Sequence, residues 1–304
     1  MRAILLREYG EPELLGTGEL PDPRPASGQV LVRTTAAAVN PVDLEVRSGA
    51  HAANVRHPFP LVLGWDLSGT VVEVAPDVTR FVPGDRVVAM SAQMATGVGT
   101  YAELVALDAS IAAPAPHSAP LLDAAGLPLA GLTAHQALDV LAAEPGARVL
   151  VAGAEGSVGA AAVQLALHRG LRVVGLARRS DADFVLELGA EEVLVAGEEL
   201  PRGAVDGLLD AAGVPGAVRA VRDGGVAVSI VPTRPPVAER GVEVRMSFVE
   251  QDGEQLEQLC ALVDKGVLAL RTGEVLGFAD AARAHRTLAG GGSRGKLLLD
   301  PARD

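Results

Sequence analysis

Three glycines between an apolar run and a helical pattern form the stretch of this sequence whose chemistry is easiest to recognise. Gly153, Gly156 and Gly159 come directly after the apolar run 148–152. Backbone N–H groups at such a turn point toward an anion, and the missing side chains let a pyrophosphate approach. The spacing, Gly-x-x-Gly-x-x-Gly, departs from the usual Gly-x-Gly-x-x-Gly, so a packing turn without a ligand is the competing interpretation. A second apolar strand over 171–177 completes a strand–helix–strand unit and favours a dinucleotide site. The residues expected to contact the dinucleotide are Gly153, Ala154, Gly156, Ser157, Val158 and Gly159.

The residues after the second strand indicate which dinucleotide is bound. A site for NADH usually places an acidic residue there for the ribose 2′-hydroxyl, whereas a site for NADPH places arginine against the 2′-phosphate. Here Arg178, Arg179 and Ser180 stand at the strand tip, and Asp181 and Asp183 follow. A solvated arginine pair is the alternative, but in the context of a strand–helix–strand unit these arginines favour NADPH over NADH. Ser180 and Asp183 also resemble a capping box, which predicts the start of the next helix.

Composition and charge exclude several classes of function. The chain has 304 residues and a net charge of −12, and 49% of its residues are hydrophobic. This length can hold two domains with real cores. The acidic balance argues against nucleic acid and anionic membrane as partners. We expect a cytoplasmic protein, because no apolar run can span a bilayer and the first residues lack a signal peptide pattern. The single cysteine, Cys260, allows no internal disulfide and is expected to fill core space.

The order of patterns along the chain predicts two kinds of domain. Short strand patterns with turn signals dominate the first part, roughly 110 residues. Helices then alternate with apolar strands, of which six are predicted: 148–152, 171–177, 192–195, 205–210, 226–230 and 242–248. Six such strands indicate a doubly wound α/β fold with a parallel sheet. A last strand over 295–299 is expected to return to the first domain.

Short motifs spread along nearly the whole chain carry a family resemblance. They are Asn-Pro-Val-Asp at 40–43, Arg-Ser-Gly at 47–49, Gly-Trp-Asp-Leu-Ser-Gly at 64–69, Gly-Asp-Arg-Val at 84–87, Tyr-Ala-Glu at 101–103, Leu-Pro-Leu-Ala-Gly-Leu-Thr-Ala at 127–134, Gln-Leu-Ala at 164–166 and Arg-Gly-Lys at 294–296. Each motif is modest alone, but together and in this order they are specific. The chain resembles the zinc-independent quinone oxidoreductases of the medium-chain dehydrogenase/reductase superfamily.

The resemblance implies a mixed α/β fold with two domains. A GroES-like, β-rich catalytic domain would comprise residues 1–118 and 268–304. An inserted Rossmann domain, with a doubly wound parallel sheet that binds NADP, would comprise residues 119–267. The resemblance also implies a homodimer through the sheet edge of the Rossmann domain, for which the apolar strand 242–248 is suited.

The resemblance also bears on metal binding. Zinc-dependent relatives hold the metal with a cysteine, a histidine beside an acid and a third ligand. In this chain Asn40 stands at the cysteine position and Trp65 at the histidine position, and the six histidines show no recognised ligand spacing. The sequence therefore predicts no catalytic metal.

Without a metal, the hydride acceptor must already be electron-poor, as quinones and enones are. The resemblance makes Asn40 the catalytic donor to the substrate carbonyl, with a turn-capping asparagine as the alternative. Thr133, the second catalytic candidate, is expected to contact the nicotinamide or its ribose, and otherwise caps a helix. Lys296 is expected near the cofactor, and a surface lysine before a strand is its alternative. Asp43 is expected to orient backbone or arginine near the substrate.

One position departs from the family pattern. Many quinone reductases of this family carry a tyrosine where this chain has Glu45, so a ring that could stack on a quinone is absent. The expected substrate contacts are therefore Asn40, Asp43, Glu45, Trp65 and Tyr101, and Trp65 alternatively fills the space that zinc would leave. No side chain stands out as the proton donor, which leaves water, Glu45 or Tyr101.

The expected function is hydride transfer from NADPH to a small molecule, a quinone or a related α,β-unsaturated carbonyl, without zinc. One alternative is an enoyl reductase that acts on an acyl thioester or a biosynthetic intermediate, although a carrier would need a basic groove that this acidic chain does not indicate. The other alternative is a non-catalytic NADPH-binding sensor, in which Asn40 and Thr133 would be expendable.

Overall fold

The computed structural model describes residues 1–53, 57–291 and 293–303. The strands within them are β1 (Arg2–Leu6), β2 (Leu15–Glu19), β3 (Gln29–Ala38), β4 (Leu61–Val62), β5 (Asp66–Val74), β6 (Arg86–Met90), β7 (Leu104–Asp108), β8 (Ala112–Pro114), β9 (Arg148–Ala152), β10 (Arg172–Ala177), β11 (Glu192–Val195), β12 (Val205–Asp210), β13 (Val221–Ser229), β14 (Glu243–Met246), β15 (Thr272–Leu276) and β16 (Lys296–Leu299). The α-helices are α1 (Pro41–Ser48), α2 (Gln93–Thr96), α3 (Leu121–Ala124), α4 (Pro128–Leu141), α5 (Ser157–His168), α6 (Ala182–Glu187), α7 (Gly253–Asp264) and α8 (Ala281–Ala289). Short 3-10 turns cover Pro12–Leu14, Ala109–Ile111, Arg179–Asp181, Ala217–Ala220, Phe278–Asp280 and Pro301–Arg303.

The chain divides into two compact units. The first comprises residues 1–129, 251–266 and 270–304, and the second comprises 130–250 and 267–269. The predicted domain limits differ from this division, because 119–129 and 251–266 lie with the first unit. Helix α3 contacts β3 and β5, and helix α7 contacts β8, so both segments share contacts with the first unit's strands.

The second unit is built on a six-stranded parallel sheet. Its strand order is β11-β10-β9-β12-β13-β14. This is the order of the doubly wound dinucleotide-binding fold, so the predicted fold class is confirmed. Residues Val149 to Ala152 of the central strand are fully buried, as expected for a parallel strand covered on both faces. The loop after β9 therefore leaves the sheet at the point where the strand order reverses, which is the usual ligand position in such folds.

The described residues of the first unit form two sheets. One has the order β2-β1-β4, and the other has the order β15-β16-β3-β5-β6-β8, with β7 also paired to β3. The final strand, β16, is antiparallel to β3, with Leu298 opposite Ala38 and Leu299 opposite Ala37. The prediction that the last strand returns to the first domain is therefore confirmed. This pairing places Lys296, the first residue of β16, close to the end of β3.

Gly64 fixes the turn between β4 and β5. Its φ is +101°, and a Cβ built on it would lie 2.4 Å from Thr100 Oγ1 and 2.4 Å from Tyr101 Cδ1. Both the backbone conformation and the available space therefore require glycine. The turn sets the start of β5, and so the position of Trp65 and Asp66.

We expect Gly64→Ala to lower the free energy of unfolding by about 2–4 kcal/mol, because it adds left-handed strain and a steric clash. Urea denaturation of the two variants Gly64→Ala and Gly16→Ala provides the measurement. Gly16 lies in β2 with no atom within 4 Å of an added Cβ, so its replacement is expected to change stability little. Equal losses in both variants would contradict this account of the turn.

Candidate functional site

The predicted glycine loop joins β9 to α5 in the second unit. Gly153 has a φ of +74°, and the N–H groups of Gly153 and Ala154 donate to the Leu176 carbonyl at 2.9 Å and 3.2 Å. A Cβ on Gly159 would lie 2.0 Å from the Gly153 carbonyl oxygen. These two glycines are therefore needed for the loop to turn against the end of β10 and for α5 to start beside it.

Gly156 differs from the other two glycines of the loop. It precedes α5 with an ordinary φ of −75°, and a Cβ there would approach only the Gly153 carbonyl oxygen, at 3.3 Å. Internal packing thus does not demand a glycine at this position. The first N–H groups of a helix, here those of Ser157, Val158 and Gly159, have no acceptor within the helix and attract an anion. The residues present therefore fit the pyrophosphate of a dinucleotide.

The two arginines stand at the end of β10, as the sequence predicts, and both pair with acids. Arg178 Nε lies 3.2 Å from Glu155 Oε1 and 3.2 Å from Asp181 Oδ2. Arg179 pairs with Glu198 at the surface. The sequence places cationic groups at the tip correctly, but the carboxylates that contact them become apparent only in the structure.

The start of α6 differs from the sequence expectation. Ser180 lies within the 3-10 turn Arg179–Asp181, and its hydroxyl donates to Asp181 Oδ2 at 2.9 Å. Helix α6 begins at Ala182 with Asp181 before it and no side-chain cap, so the predicted box from Ser180 to Asp183 is absent. The carboxylate of the adjacent residue thus accepts from the hydroxyl that the prediction assigned to the helix N-terminus.

A buried carboxylate organises the candidate substrate residues of the first unit. Asp43 Oδ2 accepts hydrogen bonds from the Asn40 N–H at 2.8 Å and from the Tyr101 hydroxyl at 3.0 Å, and Oδ1 accepts from the Gly64 N–H at 3.2 Å. Desolvation raises the pKa of Asp43 to about 7, although the hydrogen bonds from Asn40 and Tyr101 oppose the rise. Asp43 therefore lies close to its titration point at neutral pH.

The side chain of Asn40 is fully buried, and both its nitrogen and its oxygen form hydrogen bonds. Its Nδ2 donates to the Ala38 carbonyl at 3.3 Å and to Asp66 Oδ2 at 3.0 Å, and its Oδ1 accepts from Lys296 Nζ. The predicted donation to a substrate carbonyl would therefore require one of the two Nδ2 bonds to be exchanged. That role stays a prediction.

Asp66 is a functional candidate that the sequence reasoning missed. Its Oδ2 lies 3.4 Å from Lys296 Nζ, and its Oδ1 accepts from the Leu129 N–H at 2.7 Å. Desolvation raises the pKa of this fully buried carboxyl, and the Lys296 ammonium and the Asn40 amide oppose the rise. The available signal was an acidic residue inside an otherwise apolar strand pattern, directly after Trp65.

Tyr101 connects Asp43 with a buried histidine. The hydroxyl lies 3.5 Å from His285 Nε2, and His285 Nδ1 is buried without a hydrogen-bond partner among the described residues. Desolvation lowers the pKa of His285 to about 3, so its ring is neutral at pH 7. Desolvation and Asp43 raise the pKa of Tyr101, which keeps its hydroxyl protonated. In the sequence His285 is one of six histidines without a recognised ligand spacing, so no role is predicted for it.

The remaining predicted residues have separate surroundings. Trp65 is buried, and its indole N–H has no partner within the described part of the chain. Glu45 Oε2 pairs with His51 Nε2 at 2.8 Å. Thr133 is buried on α4 in the second unit. The structure thus brings together Asn40, Asp43, Tyr101 and Lys296, whereas Glu45 contacts a histidine outside this cluster.

Two further features concern metals and membranes. Across residues 1–53, 57–291 and 293–303, no group of three histidine, cysteine, aspartate or glutamate side chains is placed to hold a metal ion. Cys260 is buried in α7 as predicted, and desolvation raises the pKa of its thiol to about 12. None of the described helices has the length and apolar character that crossing a membrane requires.

Family models match two parts of the chain. Residues 26–117 match the alcohol dehydrogenase GroES-like domain. Residues 180–299 match a family described as zinc-binding dehydrogenase.

Several curated proteins with similar sequences are named oxidoreductases. A chloroplastic quinone-oxidoreductase of Triphysaria versicolor is 34% identical over 201 residues, which cover 64% of this chain and 60% of that protein. The chain thus spans about 60% of the length of the first curated relatives that it matches. The chloroplastic NADPH-dependent alkenal/one oxidoreductase of Arabidopsis thaliana is 31% identical over 278 residues, with 88% of this chain and 70% of that protein covered.

Solved structures similar to this one extend over its whole length. The quinone oxidoreductase from Coxiella burnetii has a TM-score of 0.89 and 29% identity, with 99% of both chains covered. A mycobacterial protein solved in complex with NADPH has a TM-score of 0.83 and 27% identity, with 99% of this chain and 100% of that chain covered.

We expect Asp43→Asn to remove a pH dependence of stability. The unfolded chain releases this proton near the ordinary pKa of 3.8, whereas the folded protein keeps it up to about pH 7. The wild-type free energy of unfolding therefore falls as the pH rises through this window, by about 1.4 kcal/mol per pH unit for this group. Urea denaturation gives the free energy of unfolding at pH 5 and at pH 8. We expect the decrease between these two pH values to be about 2–3 kcal/mol smaller in Asp43→Asn than in the wild type.

The matched control is Asp77→Asn, because Asp77 is an exposed carboxylate whose pKa is lowered by Ser27 and the Gly28 N–H. That variant is expected to keep the wild-type slope between pH 5 and pH 8. An unchanged slope in Asp43→Asn would show that Asp43 is already ionised in the folded protein at pH 5.

We expect Gly156→Ala to weaken dinucleotide binding about tenfold while it leaves stability within about 1 kcal/mol of the wild type, because the methyl group would enter the space left for phosphate. Titration of NADPH fluorescence and urea denaturation give the two readouts. Gly290→Ala, at the end of α8 with an ordinary φ and nearest atoms at 3.5 Å, is the control. Unchanged binding in Gly156→Ala would contradict this placement of the pyrophosphate.

Proposed function

The chain belongs to the quinone oxidoreductase family of the medium-chain dehydrogenase/reductase superfamily, and from this premise we propose that it is an NADPH-dependent oxidoreductase that reduces quinones or related α,β-unsaturated carbonyls without zinc. The observation that carries the proposal lies in the second unit. A glycine loop with space at Gly156 opens a helix, and Arg178 stands at the end of the next strand.

We assign each part of the cofactor to residues that would contact it. The backbone N–H groups of Ser157, Val158 and Gly159 at the start of α5 hold the pyrophosphate, while Gly153, Ala154 and Gly156 shape the loop before them. Arg178 binds the 2′-phosphate, with Arg179 and Ser180 beside it. Thr133 contacts the nicotinamide or its ribose. When bound, NADPH supplies the hydride. The names of the Arabidopsis thaliana relative and the mycobacterial structure, which both include NADPH, support this choice of cofactor.

The chemistry of the buried cluster supports a mechanism without zinc. Asn40 and Trp65 stand where zinc-dependent relatives have ligands, and neither they nor Lys296 is a zinc ligand. The Lys296 ammonium also contacts both Asn40 Oδ1 and Asp66 Oδ2, the oxygens that a cation would seek. A second cation at this place would be repelled. The residues present therefore do not fit the metal named by the matching family description.

Negative charge develops on the acceptor oxygen as the hydride adds, and we assign its stabilisation to Asn40. The Lys296 ammonium binds Asn40 Oδ1 and so polarises the amide, which makes its N–H groups stronger donors. The longer of the two Nδ2 bonds, to Ala38 at 3.3 Å, is the one that exchanges for the substrate carbonyl. Asp43 positions Asn40 through its backbone N–H. Tyr101 holds its proton on the hydroxyl beside Asp43 Oδ2.

Two observations favour enones as the hydride acceptors. Glu45, at the position where many quinone reductases of the family carry an aromatic ring, is paired with His51 and offers no stacking surface. Of the two curated relatives described above, the one that covers more of this chain, 88%, is named an alkenal/one oxidoreductase. Reduction of an alkenal or alkenone is therefore the second candidate function.

A homodimer is also proposed, through the edge strand β14. The six-stranded sheet ends at this strand, and an edge strand has backbone groups that can pair with a second copy. Phe248, just beyond it, is 68% exposed. The cytoplasmic location inferred from the sequence stays a prediction.

Parallel steady-state oxidation of NADPH and NADH, with simple quinones and enones as acceptors and EDTA present, tests the proposal. We expect turnover with both acceptor classes, undiminished by EDTA, and a kcat/KM for NADPH about three- to fivefold above that for NADH, because only NADPH offers a phosphate to Arg178. Turnover of enones alone would establish the second candidate function.

Other outcomes count against the proposal in separate ways. NADPH binding without turnover of any acceptor would favour a sensor. A preference for NADH would contradict the role of Arg178. Activity that EDTA removes and zinc restores would contradict the metal-free mechanism.

A further inference from the structure

Arg178, to which the proposed function assigns the 2′-phosphate, lies between two carboxylates. Its Nε is 3.2 Å from Glu155 Oε1 and 3.2 Å from Asp181 Oδ2. Glu155 belongs to the glycine loop and directly precedes Gly156, whereas Asp181 follows the strand tip. The Arg178 guanidinium, the proposed phosphate contact, is therefore already paired with two carboxylates of the same unit.

The two carboxylates are held differently. The Asp181 side chain is only 4% exposed, and its Oδ2 also accepts from the Ser180 hydroxyl at 2.9 Å. Glu155 is 15% exposed and contacts Arg178 through Oε1, and its Oε2 is buried without a hydrogen-bond partner among the described residues. Asp181 is thus a fixed part of the 3-10 turn, whereas Glu155 is the partner that a stronger anion can replace.

The position of Glu155 also matters for the loop. The loop binds a diphosphate through backbone N–H groups, so a carboxylate within it opposes any added negative charge nearby. A phosphate monoester carries more charge than a carboxylate and offers three acceptor oxygens to arginine. A 2′-phosphate can therefore take Arg178 from Glu155, but part of its binding free energy is offset by breaking that ion pair.

We propose that Glu155 is a specificity-determining residue that competes with the 2′-phosphate of NADPH for Arg178 and so narrows the preference for NADPH over NADH. NADH has no 2′-phosphate, so it binds without displacing Glu155, and its ribose hydroxyls meet carboxylates that can accept their hydrogen bonds. The inference rests on the proposed function, which places the 2′-phosphate at Arg178.

The neighbouring pair supplies a matched comparison. Arg179 and Glu198 form an ion pair at the same end of the sheet, but their side chains are 75% and 56% exposed. Solvent and salt screen such a pair strongly. Glu198→Gln removes the same charge as Glu155→Gln without touching Arg178, so it separates a local effect from a change in net charge.

Dissociation constants of NADPH and NADH, and of 2′,5′-ADP and 5′-AMP as probes of the phosphate alone, test the proposal by calorimetric titration at one ionic strength. In Glu155→Gln we expect NADPH and 2′,5′-ADP to bind roughly five- to tenfold more tightly. NADH and 5′-AMP are expected to change by less than about twofold, and Glu198→Gln is expected to leave the NADPH to NADH ratio within about twofold of wild type. The thermal unfolding midpoint of each variant verifies that it is folded.

The variant Arg178→Gln distinguishes a failure of the proposed role of Glu155 from a failure of the proposed phosphate site at Arg178. If it lowers the NADPH to NADH ratio while Glu155→Gln leaves the ratio unchanged, the phosphate site stands and the role of Glu155 is overturned. If neither variant changes the ratio, the phosphate is not bound by Arg178, and the proposed cofactor site fails as well.

The double variant tests the competition itself. Because Glu155 acts through Arg178, its replacement is expected to change NADPH affinity by less than about twofold in the Arg178→Gln background. A gain that persists in full would show that Glu155 repels the phosphate directly, without competition for the arginine. A gain in Glu198→Gln equal to that in Glu155→Gln would likewise overturn the proposal, since the effect would follow net charge.

Discussion

The burial of the Asp43 carboxylate is the constraint on which the first unit depends. An isolated carboxylate is costly to remove from water, and here donors from three segments offset that cost. They are the Asn40 N–H before α1, the Gly64 N–H between β4 and β5, and the Tyr101 hydroxyl. One side chain thereby fixes a helix start, a turn and an aromatic ring. Its raised pKa follows from the same burial.

The buried ion pair of Lys296 and Asp66 joins distant parts of the chain. Lys296, on the last strand, contacts Asn40 and Asp66 because β16 runs antiparallel to β3. Removal of either charge would leave the other buried without the opposite charge that now lies beside it. The pair also supplies an internal cation beside the oxygens of Asn40 and Asp66. The first unit therefore places an ammonium group directly on the amide oxygen of Asn40.

The second unit builds its site from a short, nearly continuous stretch. The loop after β9, the start of α5 and the end of β10 lie within about thirty residues, as a strand–helix–strand unit requires. Its glycines have different duties: Gly153 and Gly159 are required by packing, whereas Gly156 leaves space. The acids around Arg178 add a charge balance that the backbone motif does not contain.

The sequence by itself determined the features that depend on neighbouring residues. Strand and helix periods, the glycine spacing and the position of Arg178 are local patterns, so the doubly wound sheet and its loop could be predicted. Only the tertiary structure decided what depends on pairing between distant residues. Lys296 meets Asn40 across 256 positions through strand register, and His285 meets Tyr101 across 184 positions through helix packing. Burial then sets the pKa values of Asp43, Asp66 and His285, because desolvation depends on the complete fold and not on the local sequence.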